Sequence, residues 1–123
     1  MIKNKSKNKI LVNNITHCNS LMSKTKGLMF SKKIVDRGLI FYMGKEKKVD
    51  LHMFFVFFPI DILWLDSKKR VVQIKEGAKP FNPLIVSRCL SKYVIELPFG
   101  AIRKTSTKEG DEIYFIEHII GGD

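Results

Sequence analysis

This 123-residue chain has little of several residue types, with only two cysteines, four prolines, one tryptophan and twelve acidic residues. Cys18 and Cys89 show neither a CxxC pair nor the spacing of a metal site. With no export signal in view, reduced thiols and a cytoplasmic setting are expected, and the question of a single disulfide stays open. The start, MIKNKSKNK, is basic, but Asn soon interrupts the segment that follows, ILVNNITHCNS, so no signal-peptide core forms.

No apolar run is long enough for a membrane helix, which needs about 20 residues. The longest, LHMFFVFFPIDILWL (51–65), is interrupted by His52, Pro59 and Asp61. Asp61 would be costly in lipid and Pro59 would break a helix. The run reads instead as two buried strand segments, 52–58 and 60–65, joined at a bend by Pro59.

Catalytic motifs are also missing. There is no G-x-S-x-G and no cysteine–histidine signature, and the eight glycines are scattered as turn residues rather than gathered into a phosphate loop. The three histidines, His17, His52 and His118, lie in separate segments, so no metal site and no cofactor is expected. An enzyme is left without a supporting motif.

Against these absences stand 22 Lys and Arg, a net charge of +10, and nine phenylalanines in an apolar fraction of 45%. The length suits one domain with a core of its own. Lys3, Lys5, Lys7 and Lys9 alternate through residues 1–9, which read as a disordered, solvated basic tail ahead of one β domain over 10–123. Further cations cluster at Lys45, Lys47 and Lys48, and at Lys68, Lys69 and Arg70. Laid along one straight strand these two tips would stand roughly 50 Å apart. A bend at Pro59 would either bring them together or send them to opposite poles.

Strand signals recur between turn signals. ILVNNI (10–15), GLIFYM (38–43), VVQIK (71–75), YVIELP (93–98) and EIYFIEHII (112–120) read as strands. DSKKR (66–70) reads as a hairpin tip and EGAKPFNPLIV (76–86) as a surface loop, with room for one short helix over 20–30. The expected fold is all-β, a small antiparallel β-sandwich or a partly closed barrel.

GLMF (27–30), HMFFVFFPIDILWLD (52–66), VVQI (71–74), YVIELPFG (93–100) and GDEI (110–113) occur in one order and spacing. In this the chain resembles the family catalogued as domain of unknown function 192, over about residues 20 to 115. The resemblance implies a small all-β sandwich and no established activity. It also groups Lys24, Asp61 and Glu96 as matching polar positions. Where members carry Arg after Gly-Leu-Met-Phe this chain has Ser31, and Val56 and Phe57 replace a Met followed by a basic residue.

The expected function is a non-catalytic module that binds a small ligand, anionic if Lys24 is its contact. The candidate ligand-binding residues are Lys24, Met29, His52, Phe55, Asp61 and Glu96, in a cleft near Gly27–Met29 and Asp61. Asp61 has a structural alternative, a carboxylate bonded to backbone N–H groups at the bend. Glu96 has one too, as an ordinary wet-face residue. The second expectation is electrostatic binding of nucleic acid through the basic loops.

Overall fold

The computed structural model describes residues 1–18, 35–51, 58–82 and 84–117. The expected helix over 20–30 and most of the expected strand 52–58 lie outside the described residues. In chain order the elements are β1 (Ile2–Asn4), β2 (Lys9–Val12), β3 (Asn14–Cys18), β4 (Arg37–Lys47), β5 (Ile60–Leu65), β6 (Val71–Ala78), β7 (Ser91–Pro98), a short helix α1 (Ala101–Thr105) and β8 (Ile113–Tyr114). They form two sheets, β2-β1-β8 and β3-β4-β7-β5-β6. The domain is all-β.

The five-stranded sheet is buried on both faces at its centre. All six residues of β5 are buried, which explains why IDILWL reads as a continuous apolar run rather than an alternating one. One face carries Ile40, Leu63, Leu65, Ile95 and Leu97 against the small sheet and α1, through Ile2, Val12, Ile102 and Phe115. The other carries Phe41, Ile60, Ile62, Trp64 and Val94 beneath Val49, Leu51 and Ile85.

That second cover is pinned by hydrogen bonds. Leu51 and Ile85 exchange backbone bonds of 3.0 and 2.7 Å, and the Ser87 N–H donates to Asp50 Oδ1 at 2.7 Å. Trp64, wholly buried, donates its indole N–H to the Val49 carbonyl at 3.0 Å. The Gln73 amide bridges the 86–88 backbone, donating to the Val86 carbonyl at 2.9 Å and accepting from the Arg88 N–H at 2.8 Å.

Residues 1–9 are not a solvated tail. β1 and β2 form a hairpin, and β1 also pairs with β8. Period-two alternation explains the lysines: Ile2 and Asn4 turn inward and are fully buried, while Lys3 and Lys5 turn out. Asn4 Nδ2 donates to Thr107 Oγ1 at 2.9 Å and to Asp111 Oδ2 at 3.0 Å, and its Oδ1 accepts from the Lys7 N–H at 2.9 Å. Asn4→Ala is therefore expected to cost about 2 kcal/mol, since buried partners lose their bonds. Urea unfolding measures it, and a loss below about 0.5 kcal/mol, the range of an ordinary surface change, would return these residues to the solvent.

Other boundaries differ from expectation for local reasons. ILVNNI is two strands in two sheets, turned at a corner where Asp36 Oδ1 accepts from the Asn13 N–H at 2.9 Å and the Asp36 carbonyl from the Asn14 N–H at 3.2 Å. These bonds hold the exposed Asp36 carboxyl below its ordinary range. β3 pairs with β4 in parallel, the exception in an otherwise antiparallel sheet, and the chain between Cys18 and Arg37 is long enough for the crossover a parallel pair needs. β6 runs on to Ala78, into the expected loop. The short helix of the described residues follows the Pro98–Gly100 turn, entered through Gly100 at φ 97° and left through Ser106 at φ 56°.

Candidate functional site

Asp61 and Glu96 are the two candidate residues that the structure describes; Lys24, Met29, His52 and Phe55 lie outside it. β5 and β7 are neighbours, with Asp61 paired to Leu97 and Ile62 to Glu96. Side chains alternate along each strand, so Asp61 shares a face with Leu63, whereas Glu96 shares the opposite face with Val94. The sheet separates the two carboxyl groups, and they do not form one cleft.

Asp61 is fully buried and saturated. Its Oδ1 accepts from the Gly77 N–H at 2.8 Å, and its Oδ2 from the N–H groups of Gly100 and Ile102, both at 3.0 Å. It thus ties β5 to two irregular places. One is the β6 bulge, where Gly77 adopts φ 57° and a Cβ would come within 2.8 Å of the Phe99 ring. The other is the first turn of α1. A carboxylate accepting three backbone N–H bonds is held in place by the fold, which is the structural alternative foreseen for it.

Glu96 is the reverse. It sits in mid-sheet with Leu39 of β4 on one side and Ile62 of β5 on the other, and is 7% exposed. Among the described residues its Oε1 has no hydrogen-bond partner. Desolvation alone pushes the carboxyl up to about 7, so near neutrality it exists in both protonated and charged forms. Ser91 Oγ is also buried without a partner, but a neutral hydroxyl loses far less than a carboxylate there.

A second polar group, absent from the sequence reading, lies on the first face near β8. Tyr93 donates its phenol to Glu117 Oε1 at 2.7 Å, and burial together with that bond raises the phenol's pKa. The same bond holds the Glu117 carboxyl below its ordinary range, with Lys69 Nζ 3.7 Å from Oε2. His17 Nδ1 lies 2.8 Å from Tyr42 Oη, beside a pocket of about 380 Å³ bounded by Ile15, Tyr114 and Glu117. No sequence motif marks this group, because its members come from β3, β4, β7, the β5–β6 turn and the segment after β8.

Residues 2–115 match the family DUF192, described as an uncharacterized ACR. The UPF0127 protein of Thermococcus kodakarensis is 36% identical over 115 residues, covering 92% of this chain and 71% of that protein. The UPF0127 protein of Pyrococcus horikoshii is 31% identical over 115 residues, covering 92% of this chain and 96% of its own length. A crystal structure from Sinorhizobium meliloti 1021, named as a candidate transcription regulator, superposes with a TM-score of 0.75 at 26% identity, over 81% of this chain and 79% of that one. With a family match across nearly its whole length and relatives of this similarity, the chain belongs to the uncharacterised DUF192 family.

Proposed function

We propose that the chain is a non-catalytic module that binds a small ligand on the second face of the five-stranded sheet, with Glu96 as the recognising side chain. The observation that carries this reading is the buried carboxyl oxygen that has no partner among the described residues. An unpaired buried carboxyl is expensive, and strongly perturbed groups of this kind gather at functional sites. Apolar neighbours surround it: Leu39 and Ile62 across the strands, Val94 along its own. The complement to such a place is an apolar molecule ending in a hydrogen-bond donor, most simply an alkyl amine. An amine would leave the carboxyl charged and paired, removing the penalty of its burial.

The pair hexylamine and hexanoate tests this, since the two share a chain and differ in the sign of the head group. Hexylamine is expected to shift the methyl resonances of Leu39 and Ile62 in the wild type and to leave them unmoved in Glu96→Gln. Binding of hexanoate instead would favour the small anionic ligand expected from Lys24. Amine binding that Glu96→Gln leaves intact would remove Glu96 from the site.

A further inference from the structure

Strand register in the five-stranded sheet decides how the two basic tips lie. The C-terminal ends of β4 and β5 and the N-terminal ends of β6 and β7 lie at one end of it, because Lys47 pairs with Ser91, Leu65 with Tyr93, and Leu65 with Val71. Lys45, Lys47 and Lys48 are therefore brought beside Lys68, Lys69 and Arg70, with Lys92 between them. The two basic tips converge.

Local structure fixes the convergence. Between Tyr42 and Lys47 the pairing with β7 slips, and Gly44 at φ 80° lets the 43–46 segment stand out from the ladder. From there Glu46 Oε2 accepts the Ser67 N–H at 2.8 Å, fastening the β4 protrusion to the β5–β6 turn. Asp66 Oδ1 accepts the N–H groups of Lys68 and Arg70, both at 2.9 Å. Glu46 and Asp66 are thus occupied by backbone donors, while Glu117 is taken by Tyr93 and Lys69 and Glu112 by Lys5. Among the described residues Lys45, Lys47, Lys48, Lys68 and Arg70 make no ion pair, and all five are exposed.

An exposed aromatic side chain lies on the strand that adjoins this turn, Tyr114 of β8, which pairs with Lys3 of β1. β8 runs along the same turn, its Ile113 N–H donating to the Lys69 carbonyl at 2.9 Å, and the backbones of Arg70 and Glu112 pair as an isolated antiparallel β-bridge. Ile113 and Phe115 point inward and Tyr114 between them points out, 44% exposed. Unpaired cations on a turn, with an exposed aromatic side chain on the strand hydrogen-bonded to that turn, are the combination that holds a single-stranded nucleic acid: phosphates on the cations, a base stacked on the ring. We infer that this end of the sheet, Lys45, Lys47, Lys48, Lys68 and Arg70 with Tyr114, is a binding surface for single-stranded nucleic acid. The surface is separate from Glu96, so either can fail without the other.

Fluorescence anisotropy with a labelled oligothymidine, titrated with salt, tests it on the full chain. A triple variant, Lys45→Gln with Lys47→Gln and Lys68→Gln, is expected to reduce the slope of log affinity against log salt by about two, at about 0.7 for each lost single-strand phosphate contact. A control removing the same charge from the other end of the sheet, Lys79→Gln with Arg103→Gln and Lys104→Gln, is expected to leave that slope nearly intact. Tyr114→Ala should weaken binding about tenfold without changing the slope. Equal losses in the two triple variants would reduce the effect to net charge and overturn the proposal. So would absence of binding at low salt, or tighter binding to phosphatidylserine vesicles than to the oligonucleotide.

Discussion

Asp61→Ala is expected to lower the stability of the folded chain by about 4 kcal/mol, the largest single-residue effect foreseen in this molecule. The carboxylate accepts from Gly77, Gly100 and Ile102. Removing it strands three backbone N–H groups in a region where the replacement cannot accept, and each buried orphan costs roughly 1–3 kcal/mol. Two of the donors open α1 and the third sits in the β6 bulge, so the loss should spread to both. Asp61→Asn keeps one oxygen but turns an NH2 group toward donors, and should recover only part of the loss. Urea unfolding of the three proteins reads this directly. A wild-type midpoint for Asp61→Ala would mean that the carboxylate is not fixed by the fold and would return it to the list of ligand contacts.

The second large effect concerns pH. Burial raises the Glu96 carboxyl from its ordinary 4.5 to about 7 in the folded chain. The folded state thus holds its proton where the unfolded state has already released it. The stability tied to this proton is complete below about pH 4.5, falls as the pH rises toward 7, and stays lost above it. Across that window the fall amounts to roughly 3 kcal/mol. Glu96→Gln abolishes the ionisation, so the difference between variant and wild-type stability should grow in the variant's favour from pH 4.5 to 7 and then level off. Asp36, Glu46, Asp111 and Glu117 have lowered values and act with the opposite sign, but their windows lie at or below the ordinary carboxylate range. The comparison with Glu96→Gln cancels them.

Much of the fold was legible because its signals are local. Strand formers in IDILWL, VVQIK and YVIELP, set between DSKKR and the Pro98–Gly100 turn, place β5, β6 and β7 nearly where they stand. The N-terminal hairpin escaped because one buried isoleucine and one buried asparagine among lysines make a weak pattern. Its anchors, Thr107 and Asp111, lie about a hundred residues away. The helix at Ala101 escaped because five residues carry little periodicity. The corner at Asn13 depends on Asp36, which no short window contains.

Of the candidate site, the two described carboxyl groups were legible as residues and not in their arrangement. Asp61 and Glu96 both stood out as carboxyl groups in apolar strands. Which of them would be satisfied depends on facing: parity along paired strands puts them on opposite sides of the sheet, and parity becomes readable only once the register is known. The sequence also left the basic tips either joined or opposed. A hydrogen bond between Glu46 and the Ser67 N–H, across the sheet end, joins them.

The most direct test of the central claim is a titration of the Glu96 carboxyl carbon by NMR, in protein labelled with 13C at the glutamate side chains and assigned by comparison with Glu96→Gln. A midpoint near 7 that moves down when hexylamine is added is the predicted result, since a bound amine would favour the charged form of a carboxyl whose Oε1 has no partner among the described residues. A midpoint near the ordinary 4.5 in the free protein would show that Glu96 is already solvated or paired, and would contradict the claim that it waits for a ligand.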